Sequence, residues 1–101
     1  MKIIRKYLLC VFIATPQPEH AKIKEVIKRI SKDDCEFIKF HKDSVSVFFS
    51  TELVAGQIEA ALDTCALSDD KRLIVEIGSD YHTFGLNHVH SWLQRHSLKA
   101  P

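Results

Sequence analysis

The sequence predicts one α+β domain of the ferredoxin-like type: a βαββαβ antiparallel sheet with two helices on one face, plus a C-terminal helix. Three observations predict it. Short apolar runs have strand periodicity, two segments have apolar residues at helical spacing, and two strands join in a hairpin. The chain has 101 residues, of which 46% are hydrophobic and 27% charged, as in a compact domain with a single core.

The first strand is predicted at residues 7–14, where both alternating faces are apolar. A strand of this kind is central and covered on both sides. Pro16 and Pro18 then interrupt the chain, and a helix is predicted from this point to Ser31 because proline suits a first helical turn. Its apolar positions 23, 26, 27 and 30 recur at the spacing of one helix face.

A hairpin is predicted next, from a strand at 35–41 and a strand at 44–50 that alternates apolar residues with serines. A second helix is predicted at 54–66, with an apolar stripe that faces the core. Gly56 in its first turn weakens it modestly. These elements place the two helices on the same side of the sheet.

The fourth strand is predicted at 72–77, where apolar residues alternate. Asn87 is a suitable N-cap for a last helix that runs to His96. The domain is therefore predicted to span residues 1–96, and residues 97–101 to be a flexible tail.

The second face of the predicted sheet needs a cover, because two helices can cover only one face. Each large apolar side chain left bare forgoes about 1.5–3 kcal/mol of burial, and such a patch is usually an interaction site. We expect a homodimer to cover this face; the Trp92 helix of the same chain and a ligand are the alternatives. The interface residues predicted for it are Phe12, Ile38, Phe40, Phe48 and Trp92.

The N-terminus and the cysteines predict a cytoplasmic protein without a membrane partner. The basic start resembles a signal peptide, but the apolar run has about eight residues and no small-residue cleavage site follows, so a buried strand is expected. No run approaches the ~20 apolar residues of a membrane span. Cys10, Cys35 and Cys65 are odd in number and far apart, which predicts buried free thiols.

The chemistry-bearing residues do not form a known catalytic motif. His88 and His90 lie two positions apart on the predicted helix and point in different directions, and the zinc pattern of two histidines at i and i+4 is missing. Cys10 and Cys65 fall in apolar patterns, which favours packing over a nucleophilic role. We therefore predict no catalytic residue, no metal site and no cofactor.

A basic stripe is predicted on the first helix, where Lys24, Lys28 and Lys32 recur every four residues. It is either a solvated face or a patch for phosphates or an acidic partner. The net charge of +1 lacks the basic excess typical of nucleic-acid binding. The third strand also lacks the Gly, Lys and Arg of an RNP pattern.

Residues after the fourth strand offer a further hypothesis. Asp80, Tyr81 and His82 either form the turn into the last helix or line a small-molecule pocket beside Trp92. Sites often form at the point where a strand ends.

Several segments resemble a known group of small bacterial proteins, the SinR-like proteins, which are related to the CRISPR-associated Cas-two ferredoxin-like family. The segments are Tyr7-Leu8-Leu9, Thr15-Pro16, Lys22-Ile23-x-Glu25-x-Ile27-Lys28, Ser50-Thr51-x-Leu53-x-Ala55-x-Gln57-Ile58, Leu73-Ile74-Val75-x-Ile77-Gly78-x-Asp80-Tyr81 and Trp92-Leu93.

The resemblance implies a ferredoxin-like fold and a dimer packed through sheet faces and C-terminal segments. Some relatives cut nucleic acid with an Asp at the end of the first strand, one per protomer, and a divalent metal between them. Phe12 occupies that position here and cannot ligate a metal, which leaves Asp80 as the nearest carboxylate. We expect a non-enzymatic dimeric module that binds a protein partner; the alternative is a nucleic-acid-binding or degenerate Cas-two-type nuclease protein.

Overall fold

The computed structural model of the chain describes residues 3–13, 21–41, 44–64 and 70–98. These residues have the order β-α-β-β-α-β-α, which confirms the predicted α+β fold. The elements are β1 (Arg5–Phe12), α1 (Ala21–Ser31), β2 (Cys35–His41), β3 (Ser44–Thr51), α2 (Ala55–Leu62), β4 (Lys71–Glu76) and α3 (Asn87–Leu98).

The strands form one antiparallel sheet in the order β2-β3-β1-β4. This is the strand order of a ferredoxin-like fold. β1 is central, and it pairs with β3 from Arg5 opposite Thr51 to Phe12 opposite Ser44. The pairing of β2 with β3 shifts register between Phe37 and Lys39, so β2 is irregular at that point.

The main core lies between the first sheet face and helices α1 and α2. Alternate residues of β1 point into it, and Tyr7 anchors its edge by donating its hydroxyl to the Leu53 carbonyl oxygen at 3.1 Å. The Tyr7 and Phe49 rings stack with centroids 5.8 Å apart. The fully buried side chains include Leu9, Val11, Ile23, Ile27, Val45, Val47, Phe49, Ile58 and Leu62.

A second core lies on the opposite sheet face, beneath α3. Val89, Trp92 and Leu93 of α3 are fully buried against Phe48 of β3, and Leu8 of β1 packs at their margin. The C-terminal helix therefore covers part of the face for which the sequence analysis expected a homodimer. The apolar residues of α3 recur at helical spacing, so one chain supplies this part of the cover.

Several boundaries differ from the predicted ones. β1 begins at Arg5, two residues earlier than predicted, because its ladder with β3 extends to Thr51. α2 ends at Leu62, and the remainder of the predicted helix falls partly outside the described residues. α3 continues to Leu98, so the start of the predicted flexible tail is helical; residues 99–101 lie outside the described residues.

The turn after α1 has two residues in the left-handed region, Lys32 (φ 53°) and Asp33 (φ 66°). The Asp33 amide donates to the Lys28 carbonyl oxygen at 2.8 Å, which closes the end of the helix. Asp34 is then held by main-chain bonds: its amide donates to Ser31 at 3.0 Å, and its carbonyl accepts the Ser50 amide at 3.1 Å. Its carboxylate is thereby fixed between the sheet and α3.

Candidate functional site

An exposed apolar patch remains on the second sheet face, beyond the part that α3 covers. Phe12 is 59% exposed at the end of β1, and Leu73 (53%) and Val75 (39%) are exposed on β4. Cys10 is half-buried directly opposite Leu73, and Val75 lies opposite Leu8. We call Phe12, Leu73 and Val75 the open patch.

The dimensions of α3 explain why the patch is open. A helix with its side chains is about 10–12 Å wide. An eight-residue strand such as β1 is about 27 Å long, and strands lie about 4.8 Å apart. One helix is therefore too small to cover the whole sheet, whether it lies along the strands or across them. α3 packs where Leu8 and Phe48 lie, and the end of the sheet at Phe12 stays exposed.

The rim of the open patch is polar. Phe12 lies between Ser44 on β3 and Lys71 on β4, and Ser46 lies opposite Cys10. An apolar centre with a polar rim is the arrangement found in interfaces between proteins that also exist apart. The exposed apolar residues of the patch are therefore bordered by Ser44, Ser46 and Lys71.

A cluster of polar side chains holds α3 against the start of β2. The Asp34 carboxylate accepts the indole N–H of Trp92 at 2.9 Å and the Ser50 hydroxyl at 2.5 Å, and His96 Nε2 lies 3.0 Å from its Oδ2. The Trp92 and His96 rings are also in contact, with centroids 4.2 Å apart. Burial alone would raise the pKa of Asp34, but the hydrogen bonds from Ser50, Trp92 and His96 outweigh it and hold that pKa below its usual value.

A cleft of about 420 Å³ lies beside this cluster. Asp34 and Ser50 contribute to its wall, and Arg29 and Lys32 bring positive charge to it. The Ser50 hydroxyl donates to the Asp34 carboxylate, which also accepts the Trp92 indole N–H and contacts His96.

The predicted interface residues fall into two groups. Phe12 is exposed in the open patch. Phe48 (8% exposed) and Trp92 (1%) are buried between the sheet and α3, so they offer almost no surface to a partner while α3 is in place. Ile38 is half-buried beside them. The Phe40 side chain lies outside the described part of the structure.

The predicted basic stripe is divided. Lys24 and Lys28 are exposed on α1, and the Lys24 ammonium lies 5.7 Å from the centre of the Phe37 ring. Lys32 belongs to the left-handed turn after α1 and borders the cleft instead. The helical periodicity on which the prediction depended ends at Ser31, one residue before Lys32.

The predicted pocket residues lie in the segment between β4 and α3. Tyr81 is half-buried and packs against the core under α3, whereas Asp80 and His82 are exposed. The cleft described above is lined by other residues.

The cysteines and histidines are dispersed. Cys10 and Cys35 are half-buried free thiols, and Cys65 lies outside the described residues. Burial raises the pKa of the Cys35 thiol, which disfavours a nucleophilic thiolate. Over residues 3–13, 21–41, 44–64 and 70–98, no three His, Cys, Asp or Glu side chains form a group able to hold a metal ion.

Among the residues that the structure describes, no helix is long and apolar enough to cross a bilayer.

Comparisons with known proteins identify the fold. No protein-family profile and no curated protein matches the chain. The chemotaxis kinase CheA P2 domain from Thermotoga maritima, solved in complex with the response regulator CheY, is similar in structure with a TM-score of 0.52. It is 17% identical, and the match covers 74% of this chain and 100% of that chain. At this identity the similarity shows the ferredoxin-like fold alone.

A protein of unknown function from Nitrosomonas europaea is a second structural match, with a TM-score of 0.39 and 17% identity. The match covers 84% of this chain and 100% of the Nitrosomonas europaea chain. None of these comparisons tests the resemblance to the SinR-like and Cas-two proteins, which stays a prediction.

Asp34 is the central acceptor of the polar cluster under α3, and the sequence did not predict this role. It lies in a polar turn, and 58 positions separate it from Trp92. No periodicity connects residues so far apart. The available signal is indirect: a buried tryptophan needs an acceptor for its N–H, and Asp34 immediately precedes a strand that α3 can reach.

Proposed function

We propose that this chain is a non-enzymatic protein-binding module whose partner docks on the open patch. The observation that carries the proposal is the exposure of Phe12, Leu73 and Val75 on the same face of two adjacent strands. Burying such side chains stabilises a complex by up to about 1.5–3 kcal/mol each. Phenylalanine is also one of the residues enriched in the buried centres of protein interfaces.

Two further observations support the proposal. The CheA P2 domain, which has the same fold, was solved with a protein partner, so this architecture is compatible with protein binding. In addition, Phe12 stands where the resemblance places the metal-binding Asp of nuclease relatives. An apolar side chain at that position favours contact with a protein surface over metal chemistry.

Site-directed photo-crosslinking tests the proposal. A photoreactive phenylalanine analogue is placed at position 12 and, in a second variant, at position 84. Phe84 is 94% exposed and is not part of the open patch, which makes it a matched control. The captured protein is then purified, and its affinity is measured for the wild type, Phe12→Ser and Phe84→Ser.

We expect capture at position 12 and a loss of about 30-fold in affinity for Phe12→Ser, the effect of a hot-spot residue worth about 2 kcal/mol. Phe84→Ser should bind like the wild type. Equal capture at both positions, or a captured protein that binds Phe12→Ser as tightly as the wild type, would contradict the proposal.

Nucleic-acid binding is the second candidate, and the exposure of Lys24 and Lys28 on α1 favours it. Labelled single- and double-stranded RNA and DNA would be titrated at low and high salt with Mg²⁺ present. Phosphate contacts predict an affinity that falls steeply with salt and weakens further in Lys24→Glu and Lys28→Glu. Anisotropy that does not change during the titrations would remove this candidate.

A further inference from the structure

β4 has an outer edge to which no strand pairs among the described residues. On its inner edge, the Ile77 amide donates to the Lys6 carbonyl oxygen at 2.8 Å. In an antiparallel ladder, alternate residues direct both main-chain groups to the same neighbour. The odd-numbered residues from Lys71 to Ile77 therefore face β1, and Arg72, Ile74 and Glu76 direct their main-chain groups outward.

The two edges of the sheet differ in their protection. β2, at the opposite edge, contains the register shift between Phe37 and Lys39, and such bulges discourage further strand pairing. β4 pairs with β1 over six consecutive positions without a shift. Its outer edge is therefore regular, and Leu73 and Val75 beside it are exposed and apolar. Three of the six β4 residues are charged, but the regular ladder and the exposed Leu73 and Val75 leave an edge that can accept another strand.

We propose that β4 pairs antiparallel with β4 of a second copy of this chain, across a two-fold axis at Ile74. The self-complementarity of the strand identifies a second copy as the occupant. With Ile74 opposite itself, Leu73 lies opposite Val75 of the second copy on the open face. Arg72 lies opposite Glu76 of the second copy on the helix side.

Other registers are less favourable. Shifting the pairing by one residue puts outward main-chain groups opposite inward ones, so the ladder cannot form. The next register in either direction sets the charged Arg72 or Glu76 opposite Ile74. A further step sets Arg72 opposite Arg72 or Glu76 opposite Glu76, and like charges directly opposite destabilise a sheet.

The pairing of Arg72 with Glu76 of the second copy contributes less to the stability of this register than the apolar contacts do. Within its own chain Arg72 already contacts Glu59 and Asp63, and Glu76 lies 3.8 Å from Arg5. The match of Leu73 with Val75 and the avoidance of like charges therefore select the register.

The pairing would also enlarge the docking surface. Directly opposite residues of an antiparallel sheet point to the same face, so the open patches of the two copies would lie side by side. The pairing of the two edges does not require another partner. The enlarged docking surface does rest on the proposed function.

Disulfide trapping tests the register. In a background with Cys10, Cys35 and Cys65 replaced by serine, Leu73→Cys and Val75→Cys proteins carrying tags of different length are oxidised separately and as a mixture. Residues opposite each other without main-chain bonds have Cα atoms about 4.5 Å apart, within disulfide range. We expect the covalent dimer of one Leu73→Cys chain with one Val75→Cys chain to predominate.

Each shifted register would give a different disulfide-linked dimer. Predominant dimers of Leu73→Cys alone or of Val75→Cys alone would identify a shifted pairing and overturn the proposal. The absence of any disulfide-linked dimer would overturn the pairing itself. Circular dichroism of the serine-substituted background and of each cysteine variant checks that these proteins are folded.

A proline substitution tests the main-chain contact without disturbing the chain's own ladder. Glu76→Pro removes an outward N–H, and proline is tolerated where the N–H of an edge strand faces outward. Glu76→Ala is the matched control, because it also removes the carboxylate but keeps the N–H. By sedimentation equilibrium we expect a species of twice the 11.6 kDa chain mass for the wild type and Glu76→Ala.

Glu76→Pro should weaken this dimer by about tenfold or more, since two main-chain hydrogen bonds are lost. An unchanged dimer in Glu76→Pro would overturn edge pairing. A monomeric wild type that still captures a protein at position 12 would overturn the self-pairing and leave the proposed function intact. A dimeric wild type that captures no protein at position 12 would overturn the proposed function and leave the self-pairing intact.

Discussion

Replacing Asp34 with alanine tests whether the polar cluster holds α3 on the sheet. The substitution removes the acceptor for three side chains: Trp92 Nε1 at 2.9 Å, Ser50 Oγ at 2.5 Å and His96 Nε2 at 3.0 Å. Hydrogen bonds to charged groups contribute about 1.5–3 kcal/mol each when fully buried. Because the Asp34 side chain is 41% exposed, water offsets part of the loss. We expect the free energy of unfolding to fall by about 2–3 kcal/mol in total.

Urea denaturation followed by tryptophan fluorescence is the appropriate assay, because Trp92 is the single tryptophan and lies in α3. The urea midpoint should fall with little change in m, and the melting temperature should fall by about 10 °C. Asp34→Asn keeps one acceptor oxygen and should have an intermediate effect. Asp80→Ala, an exposed aspartate, is the control and should stay within about 0.5 kcal/mol of the wild type.

A loss below about 0.5 kcal/mol for Asp34→Ala would refute the reasoning, because it would mean that water replaces the cluster at no cost. A large loss in Asp80→Ala as well would show that the assay reports general charge effects rather than this contact.

Three further predictions concern stability. The pKa of Asp34 is depressed in the folded state, so its stabilisation is complete above the unfolded-state value near 3.9 and is lost as pH falls through the folded value. The difference in urea midpoint between wild type and Asp34→Ala should therefore shrink below about pH 4; a constant difference would contradict this assignment. Phe49→Ala, at a fully buried position, should cost about 3–5 kcal/mol in urea unfolding, while Phe84→Ala should cost less than about 0.5; similar losses would contradict the core assignment. Gly85→Ala should cost about 1–2 kcal/mol because Gly85 has a φ of +76°, whereas Gly78→Ala is the control outside the left-handed region, and equal losses would exclude a conformational cause.

Periodicity predicted most of the fold, because each element buries a face that repeats in sequence. The two-residue repeat of β3 and the helical repeat of α1 define their inward faces locally. The end of α2 was less predictable, since apolar residues continue beyond Leu62 while the helix of the described residues does not.

The cover of the second sheet face could not be predicted from the sequence alone. Leu8 and Phe48 showed that this face is apolar, but the same pattern fits a helix of the same chain or a second protomer. The structure distinguishes them through Trp92, which is buried by its own chain's sheet. Its contact with Asp34 depends on a loop geometry that no hydrophobic pattern records.

Two modes of self-association are now distinguishable. Packing through the whole second face of the sheet would need the surface around Phe48 that α3 occupies, so α3 would have to leave and break the bond between Trp92 and Asp34. Edge pairing through β4 uses the outer edge of the strand beside the exposed Leu73 and Val75 and leaves α3 in place. Asp34→Ala should therefore favour a dimer formed through the sheet face but leave an edge-paired dimer with the wild-type association constant. Sedimentation equilibrium of that variant decides between the two modes, since tighter association in Asp34→Ala would refute edge pairing.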